Sequence, residues 1–409
     1  MLKFHKIFTI HSNILYSIRE LEVIMLREKY PNGITLDELA DIHPSLYILV
    51  DIRDETTHDY GSIPNSICMH DILEKALDHS LDKTKSYVLY CMNGRQSVSL
   101  VYELSRLGYD AIDLLNGYAG YLEKSMLVFD DSIQYKAERS IIKTYHRELM
   151  SPFLKALDRY DLIQEGDKIA VCISGGKDSM MMAKLFQELH KFTKVKFDLV
   201  FLVMDPGYSD LNRKVIEYNA RVLGVPITIF ESRIFDVVYN MEKSPCYVCA
   251  RMRRGHLYNK AKELGCNKIA LGHHYDDVIE TILMGMMYAG QIQTMMPKLK
   301  SENFEGMELI RPMYLIREKD IMKWRDYNNL HFIQCACHFT DTCSSCREDG
   351  TTNSKRMETK KLIEKLKETN PVIEKNIFKS VENINLHNII AYKTDDGWHN
   401  FLDDYNKDK

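Results

Sequence analysis

The stretch that most narrows the folds open to this chain is Ser174-Gly175-Gly176-Lys177-Asp178-Ser179, set between the apolar run Lys168-Ile169-Ala170-Val171-Cys172-Ile173 and Met180-Met181-Met182-Ala183. An unbroken apolar run of this length reads as a buried strand, and the residues after it as a helix. The two glycines between them allow a tight turn in which backbone N–H groups converge on an anion. The helix N-terminus adds partial positive charge and Lys177 a full one, so the turn reads as a phosphate cradle. It is not a Walker A loop, because the Gly-x-x-x-x-Gly-Lys-Ser/Thr spacing is absent. A glycine-serine turn that binds nothing is the plainer alternative, but it gives no reason for opposite charges at Lys177 and Asp178, where ATP and Mg²⁺ would require them.

The alternation continues downstream, with strands expected at Asp198–Val203, Ile227–Phe230 and Lys268–Leu271 and a helix through Arg221. This is doubly wound α/β architecture, in which ligands bind beyond the carboxyl ends of the strands. Upstream, Tyr47–Asp51 and Tyr87–Tyr90 read as strands, and Val98, Val101, Leu104 and Leu107 as one face of a helix closing at Gly108. At 409 residues two domains are expected. The fold class is α/β: a smaller N-terminal α/β domain, then a doubly wound parallel sheet. The expected division is a helical extension over 1–33, the first domain over 34–124, a helical linker over 125–160, the second domain over 161–385 and a tail over 386–409. The extension rests on the stripe Ile14, Leu15, Ile18, Leu21, Met25 and Leu26, and Lys355–Lys379 carries a mixed-charge helical pattern with a basic excess.

Composition excludes more than it selects. With 45% hydrophobic and 27% charged residues the chain is ordinary globular protein, and a net charge of -4 does not advertise nucleic-acid binding, though local basic clusters remain able to bind phosphate. His5, His11, Ser12 and Asn13 interrupt the apolar Ile7, Phe8 and Ile10, so no signal peptide or membrane span is expected and the chain reads as cytoplasmic. In that compartment its ten cysteines are metal ligands, nucleophiles or buried apolar groups rather than disulfides.

Cys91 opens the loop Cys91-Met92-Asn93-Gly94-Arg95-Gln96-Ser97 directly after a strand, with a helix expected at or near Ser97. Backbone amides, the helix start and Arg95 favour a thiolate there and would stabilise a persulfide anion; a buried strand-end cysteine is the alternative. Gly272-His273-His274-Tyr275-Asp276-Asp277 follows a strand and opens a helix, so Asp276 and Asp277 either share magnesium with Asp178 or cap the helix, and both roles are compatible. Cys246 and Cys249 have the spacing of one metal centre, with a redox dithiol as rival, and Cys335, Cys337, Cys343 and Cys346 are available to complete it. Zinc would take four ligands, whereas three thiolates on an iron–sulfur cluster would leave one iron open; the sequence does not choose. Arg251, Arg253 and Arg254, extended by Lys355, Arg356, Lys360 and Lys361, offer a surface for polynucleotide phosphates.

Three resemblances follow from these residues. The Ser174–Ser179 turn resembles the signature of the N-type ATP pyrophosphatases, which cleave ATP between the α and β phosphates and transfer AMP to an oxygen. Val50-Asp51-Ile52-Arg53-Asp54, Tyr60-Gly61-Ser62-Ile63-Pro64-Asn65 and the Cys91 loop together resemble a rhodanese sulfurtransferase domain over Thr35–Glu123, with Ser62 where that family often has histidine and Asn65 where it often has glycine. The third resemblance runs from Leu162 to Asn383. The turn, Cys246-x-x-Cys249 with Arg251-Met252-Arg253-Arg254-Gly255, Gly272–Asp277, Met296-Pro297-Lys298-Leu299 and Arg311-Pro312…Arg317-Glu318-Lys319-Asp320-Ile321 look like the bacterial tRNA 2-thiocytidine synthetases.

The resemblance implies an ATP-dependent thiolation of tRNA, with Cys91 carrying sulfur as a persulfide received from a cysteine desulfurase or another donor. It implies nucleotide contacts at Ser174–Ser179, His273, Asp276 and Asp277, and a [4Fe–4S] cluster on Cys246, Cys249 and a later cysteine, which counting places at Cys335. ATP, Mg²⁺ and the cluster are the implied cofactors and tRNA the implied partner, with no membrane and a homodimer left open. Thiolation of another nucleoside or small molecule, and a binding protein without turnover, stay as alternatives.

Overall fold

The computed structural model describes residues 29–127, 130, 132–235, 245–333 and 355–405. The helical stripe expected at 14–28 lies outside them. Strands β1 (Tyr47–Asp51), β2 (Ile67–Cys68), β3 (Ser86–Tyr90) and β4 (Asp110–Asp113) form a sheet in the order β2-β1-β3-β4, parallel throughout. Each residue of β3 is buried, as a central strand covered on both faces must be.

The second sheet has six strands: β5 (Lys168–Ile173), β6 (Asp198–Asp205), β7 (Ile227–Glu231), β8 (Lys268–Ala270), β9 (Lys298–Lys300) and β10 (Glu308–Ile310), in the order β7-β6-β5-β8-β10-β9. Only the edge strand β9 runs antiparallel. The chain winds outward from β5 to β7 and then resumes at β8 on the other side of β5. This reversal opens a crevice beyond the carboxyl ends of β5 and β8, the usual ligand position in such sheets. The glycine turn sits there.

The helical pattern expected over Lys355–Lys379 forms two helices, Lys355–Thr369 and Ile373–Ser380. Pro371 supplies the break, because it lacks an N–H and disfavours helical geometry in the residue before it. The stretch expected as a tail contains the antiparallel hairpin β11 (Ala391–Thr394) and β12 (Gly397–Asn400), followed by the helix Phe401–Tyr405.

The two sheets share one apolar core. It runs from Leu39, Tyr90 and Ile112 around the first sheet to Ile173, Phe186, Ile216, Trp324 and Ile333 around the second. Trp324 is fully buried on the helix Glu318–Tyr327, and its indole N–H donates to the Ala137 carbonyl at 3.3 Å, tying the segment between the sheets to the second one. Tyr121 packs edge-on against His331 with ring centroids 5.5 Å apart.

Candidate functional site

Gly175 has φ +87°, a conformation L side chains rarely adopt, and a Cβ there would lie 2.5 Å from Ile216 Cγ1. The turn is braced from within: the Ser179 hydroxyl donates to the Gly176 carbonyl at 2.9 Å and accepts from the Ser174 amide at 3.2 Å. Lys177 begins the helix Lys177–Phe192, and its buried ammonium lies 3.1 Å from Asp178 Oδ2 and 3.0 Å from Glu318 Oε1. Burial would lower the pKa of Lys177, but the two carboxylates outweigh it and hold the group above the usual lysine range. Glu318, despite burial, is held down to about 2, chiefly by Lys177. Asp178 Oδ1 is buried and, among the described residues, has no hydrogen-bond partner.

The loop after β8 faces this turn. His274 caps the helix Tyr275–Ala289, its amide donating to Asp277 Oδ2 at 2.9 Å in a reciprocal capping box. Its ring stands between Asp178, at 3.9 Å, and Asp276, at 3.8 Å. Asp276 accepts from Arg317 Nη2 at 2.9 Å and from the Glu318 amide at 2.7 Å, while Asp277 pairs with Arg356 at 3.1 Å. Both acids are therefore engaged by the protein, and among the described residues no group of three or more His, Cys, Asp or Glu side chains is arranged to hold a metal. His273 accepts from Arg311 Nε at 3.3 Å, and burial pulls its pKa to about 4, so the ring is neutral near pH 7. Glu280, buried beside Arg356, is pushed up to about 7.

Arg356 and Lys360 were expected on an RNA-facing surface. Arg356, which is exposed, pairs with Asp277 and Glu280, and Lys360 pairs with Glu318 at 2.8 Å. Arg251 and Arg254 are exposed, whereas Arg253 lies with its guanidinium 5.3 Å from the Phe235 ring centroid.

The second constellation lies at the end of β3. Cys91 is buried, and the helix Arg95–Arg106 starts two residues earlier than expected, with Arg95 exposed. The buried Ser97 hydroxyl donates to Cys91 Sγ at 3.4 Å. Burial by itself would raise the Cys91 pKa; the Ser97 hydroxyl and the amides of Ser97, Asn93 and Gln96 outweigh it and leave the thiol below its ordinary value. Burial raises the Asp113 carboxyl to about 6, with Ser97 opposing the rise, and its Oδ1 has no hydrogen-bond partner among the described residues. Neither Ser97 nor Asp113 was identified from sequence. Ser97 is one residue beyond a motif already in view, but no local pattern ties Asp113 to Cys91.

Cys246 and Cys249 lie three apart in sequence near the start of the helix Pro245–Glu263. Cys249 is half-buried and forms no disulfide among the described residues. The Cys246 side chain and Cys335, Cys337, Cys343 and Cys346 lie outside the described residues.

A diglycine phosphate turn at the switch point of a doubly wound sheet, behind a sheet carrying a low-pKa cysteine loop, defines an ATP-using PP-loop enzyme fused to a rhodanese-like domain. The family models agree: residues 35–124 match the Rhodanese-like domain and 143–338 the PP-loop domain. The tRNA-cytidine(32) 2-sulfurtransferase of Citrifermentans bemidjiense is 34% identical over 240 residues, 58% of this chain and 90% of that protein. That of Geobacter sulfurreducens is 32% identical over 259 residues, 63% of this chain and 93% of that protein. The chain belongs to the tRNA-cytidine(32) 2-sulfurtransferase family and is a tRNA sulfurtransferase with an ATP-utilising PP-loop domain. Among solved structures, the U34-tRNA thiolase NcsA from Methanococcus maripaludis with its [4Fe-4S] cluster aligns at 22% identity and a TM-score of 0.46, over 57% of this chain and 79% of that one. No described helix is long and apolar enough to cross a membrane.

Proposed function

We propose that this chain replaces the C2 oxygen of a tRNA cytidine by sulfur, in the cytoplasm, with the sulfur relayed through Cys91. The C2 carbonyl of cytosine is urea-like and a poor electrophile, so its oxygen must first become a leaving group. Attack by that oxygen on the α-phosphorus of ATP releases pyrophosphate and leaves AMP on the base; sulfur then adds at C2 and AMP departs. The Ser174–Ser179 amides and Lys177 would hold the triphosphate, and Asp178 would hold Mg²⁺ through its unpartnered oxygen together with phosphate oxygens and water. The target base must be unstacked to present this edge, as in a loop of tRNA.

Cys91 would receive sulfur from a cysteine desulfurase or another donor and hold it as a persulfide, whose anion the loop amides and Ser97 stabilise. Persulfide sulfur is more oxidised than thiocarbonyl sulfur by two electrons, so each turnover also consumes a thiol reductant. Cys246 and Cys249, with Cys335, have the donor chemistry for a [4Fe–4S] cluster held by three thiolates, which when bound would offer an iron without a protein ligand to sulfur. Division of the chain at 34–124, 125–160 and 161–385 follows from this reading.

The observation that carries the proposal is the docking of the rhodanese-like unit on the nucleotide turn. Tyr60, which follows β1, reaches the amide of Lys177, which follows β5. The Cys91 loop ends β3, the strand beside β1, so it opens at the same carboxyl edge of its sheet as that contact. A deletion strain whose tRNA is digested and assayed for thiolated nucleosides tests the reading. Loss of 2-thiocytidine is expected, restored by the wild-type gene and not by Cys91→Ser when thiosulfate is the sole sulfur source; unchanged 2-thiocytidine defeats it.

A further inference from the structure

One tyrosine of the rhodanese-like unit enters the nucleotide site. Tyr60 closes the helix Glu55–Tyr60, yet its hydroxyl accepts from the Lys177 amide at 3.3 Å and donates to the Ile333 carbonyl at 2.9 Å. A Cβ added to Gly176 would lie 3.3 Å from the same hydroxyl, so the phenol rests on the glycine turn itself. The Lys177 ammonium stands 5.1 Å from the ring centroid. Arg325 fixes the backbone behind it, donating to the Tyr60 carbonyl and, at 3.0 Å, to the Asp59 carbonyl. Arg53 adds a bond to the Gly61 carbonyl at 2.8 Å. The main chain is thus pinned on both sides of the residue, while the phenol reaches the turn through rotatable bonds.

The Lys177 amide is the first of the helix Lys177–Phe192 and has no partner within it. Such amides at a glycine turn are the donors a phosphate oxygen takes. One N–H serves one strong acceptor at a time, so a phenol oxygen and a phosphate oxygen compete for it. We propose that Tyr60 is a place-holder in the nucleotide site: its hydroxyl sits where a phosphate oxygen of ATP binds, and the triphosphate displaces it. The rhodanese-like unit thereby contributes a competing side chain to the nucleotide site and registers nucleotide occupancy through it. This rests on the reading that the Ser174–Ser179 turn binds ATP.

The test uses the full chain and α,β-methylene-ATP, in which the bond broken in the reaction is replaced. Calorimetric titration of wild type and Tyr60→Phe is expected to show two- to tenfold tighter binding by the variant, roughly the net worth of one hydrogen bond. Equal or weaker binding by Tyr60→Phe overturns the proposal. In the wild type, the ring resonances of Tyr60, assigned by their loss in Tyr60→Phe, are expected to shift when the analogue binds; unmoved ring resonances overturn it as well. If neither protein binds the analogue, the nucleotide reading itself fails and takes the proposal with it, whereas equal binding by both removes only the role of Tyr60.

Discussion

The Cys91 loop and the Ser174 turn use the same backbone device with different contents. Each leaves a buried parallel strand, gathers amides at a helix start and closes on a serine hydroxyl, Ser97 or Ser179. In the first, the group at the centre is a thiol surrounded by neutral donors, with one raised carboxyl behind. In the second it is a lysine inside a network of acids. A strand-to-helix turn supplies a generic anion site, and here one such turn is built around a thiol and the other around an ammonium.

The sharpest break of this comparison is a crossed pair. Lys177→Met should lower pyrophosphate release about 10²- to 10³-fold, the usual cost of removing one stabilising group, and leave thiosulfate-dependent persulfide formation on Cys91 intact. Cys91→Ser should do the reverse. If either variant impairs both assays equally, the two turns do not work as separate sites.

Next in size is Gly117→Ala. Gly117 has φ +51°, and a Cβ there would fall 2.3 Å from the Cys91 carbonyl oxygen and 3.1 Å from the Gly94 amide. Backbone cannot yield as a side chain does, so a loss of up to about 3 kcal/mol in chemical denaturation, with slower persulfide loading, is expected. Pyrophosphate release per folded molecule should be unchanged.

Ser97→Ala removes a donor to the thiolate, so the Cys91 pKa rises. A hydrogen bond to a charged group corresponds to a shift of about one to two pH units, read from the pH profile of iodoacetamide alkylation. A profile that stays in place would leave the amides as the sole cause of the low value.

The smallest effect belongs to Asp113. Its carboxyl titrates near 6 in the folded chain, above its unfolded value. The native state therefore holds a proton that the unfolded state has lost, and stability falls as pH rises from about 4 to about 6. Asp113→Asn should abolish about 1 to 2 kcal/mol of this slope, measured by urea titration across that range; an unaltered slope would place the titrating group elsewhere.

How far the sequence reaches differs between the two turns. Both were legible because their residues are contiguous: an apolar strand, a short motif and a helix start. Long strands such as β5 and β6 were equally plain, while β2 has only two residues and β10 three, too few for a pattern. What stayed hidden were partners brought in by the fold. Asp113 arrives from the strand beside β3, Glu318 from a later helix, and Tyr60 from the other unit altogether. The ion pairs of Arg356 and Lys360 were hidden for the same reason: a basic helix gives no sign of the acids it packs against.

On either side of the stretch 334–354 the described chain is held at one crevice. Immediately before it, Ile333 is bonded to Tyr60 at the phosphate turn; immediately after it, Arg356 and Lys360 are clamped to Asp277, Glu280 and Glu318. Residues remote in sequence from Lys177 are thus mechanically part of the turn's surroundings, and loosening either flank slackens the same crevice.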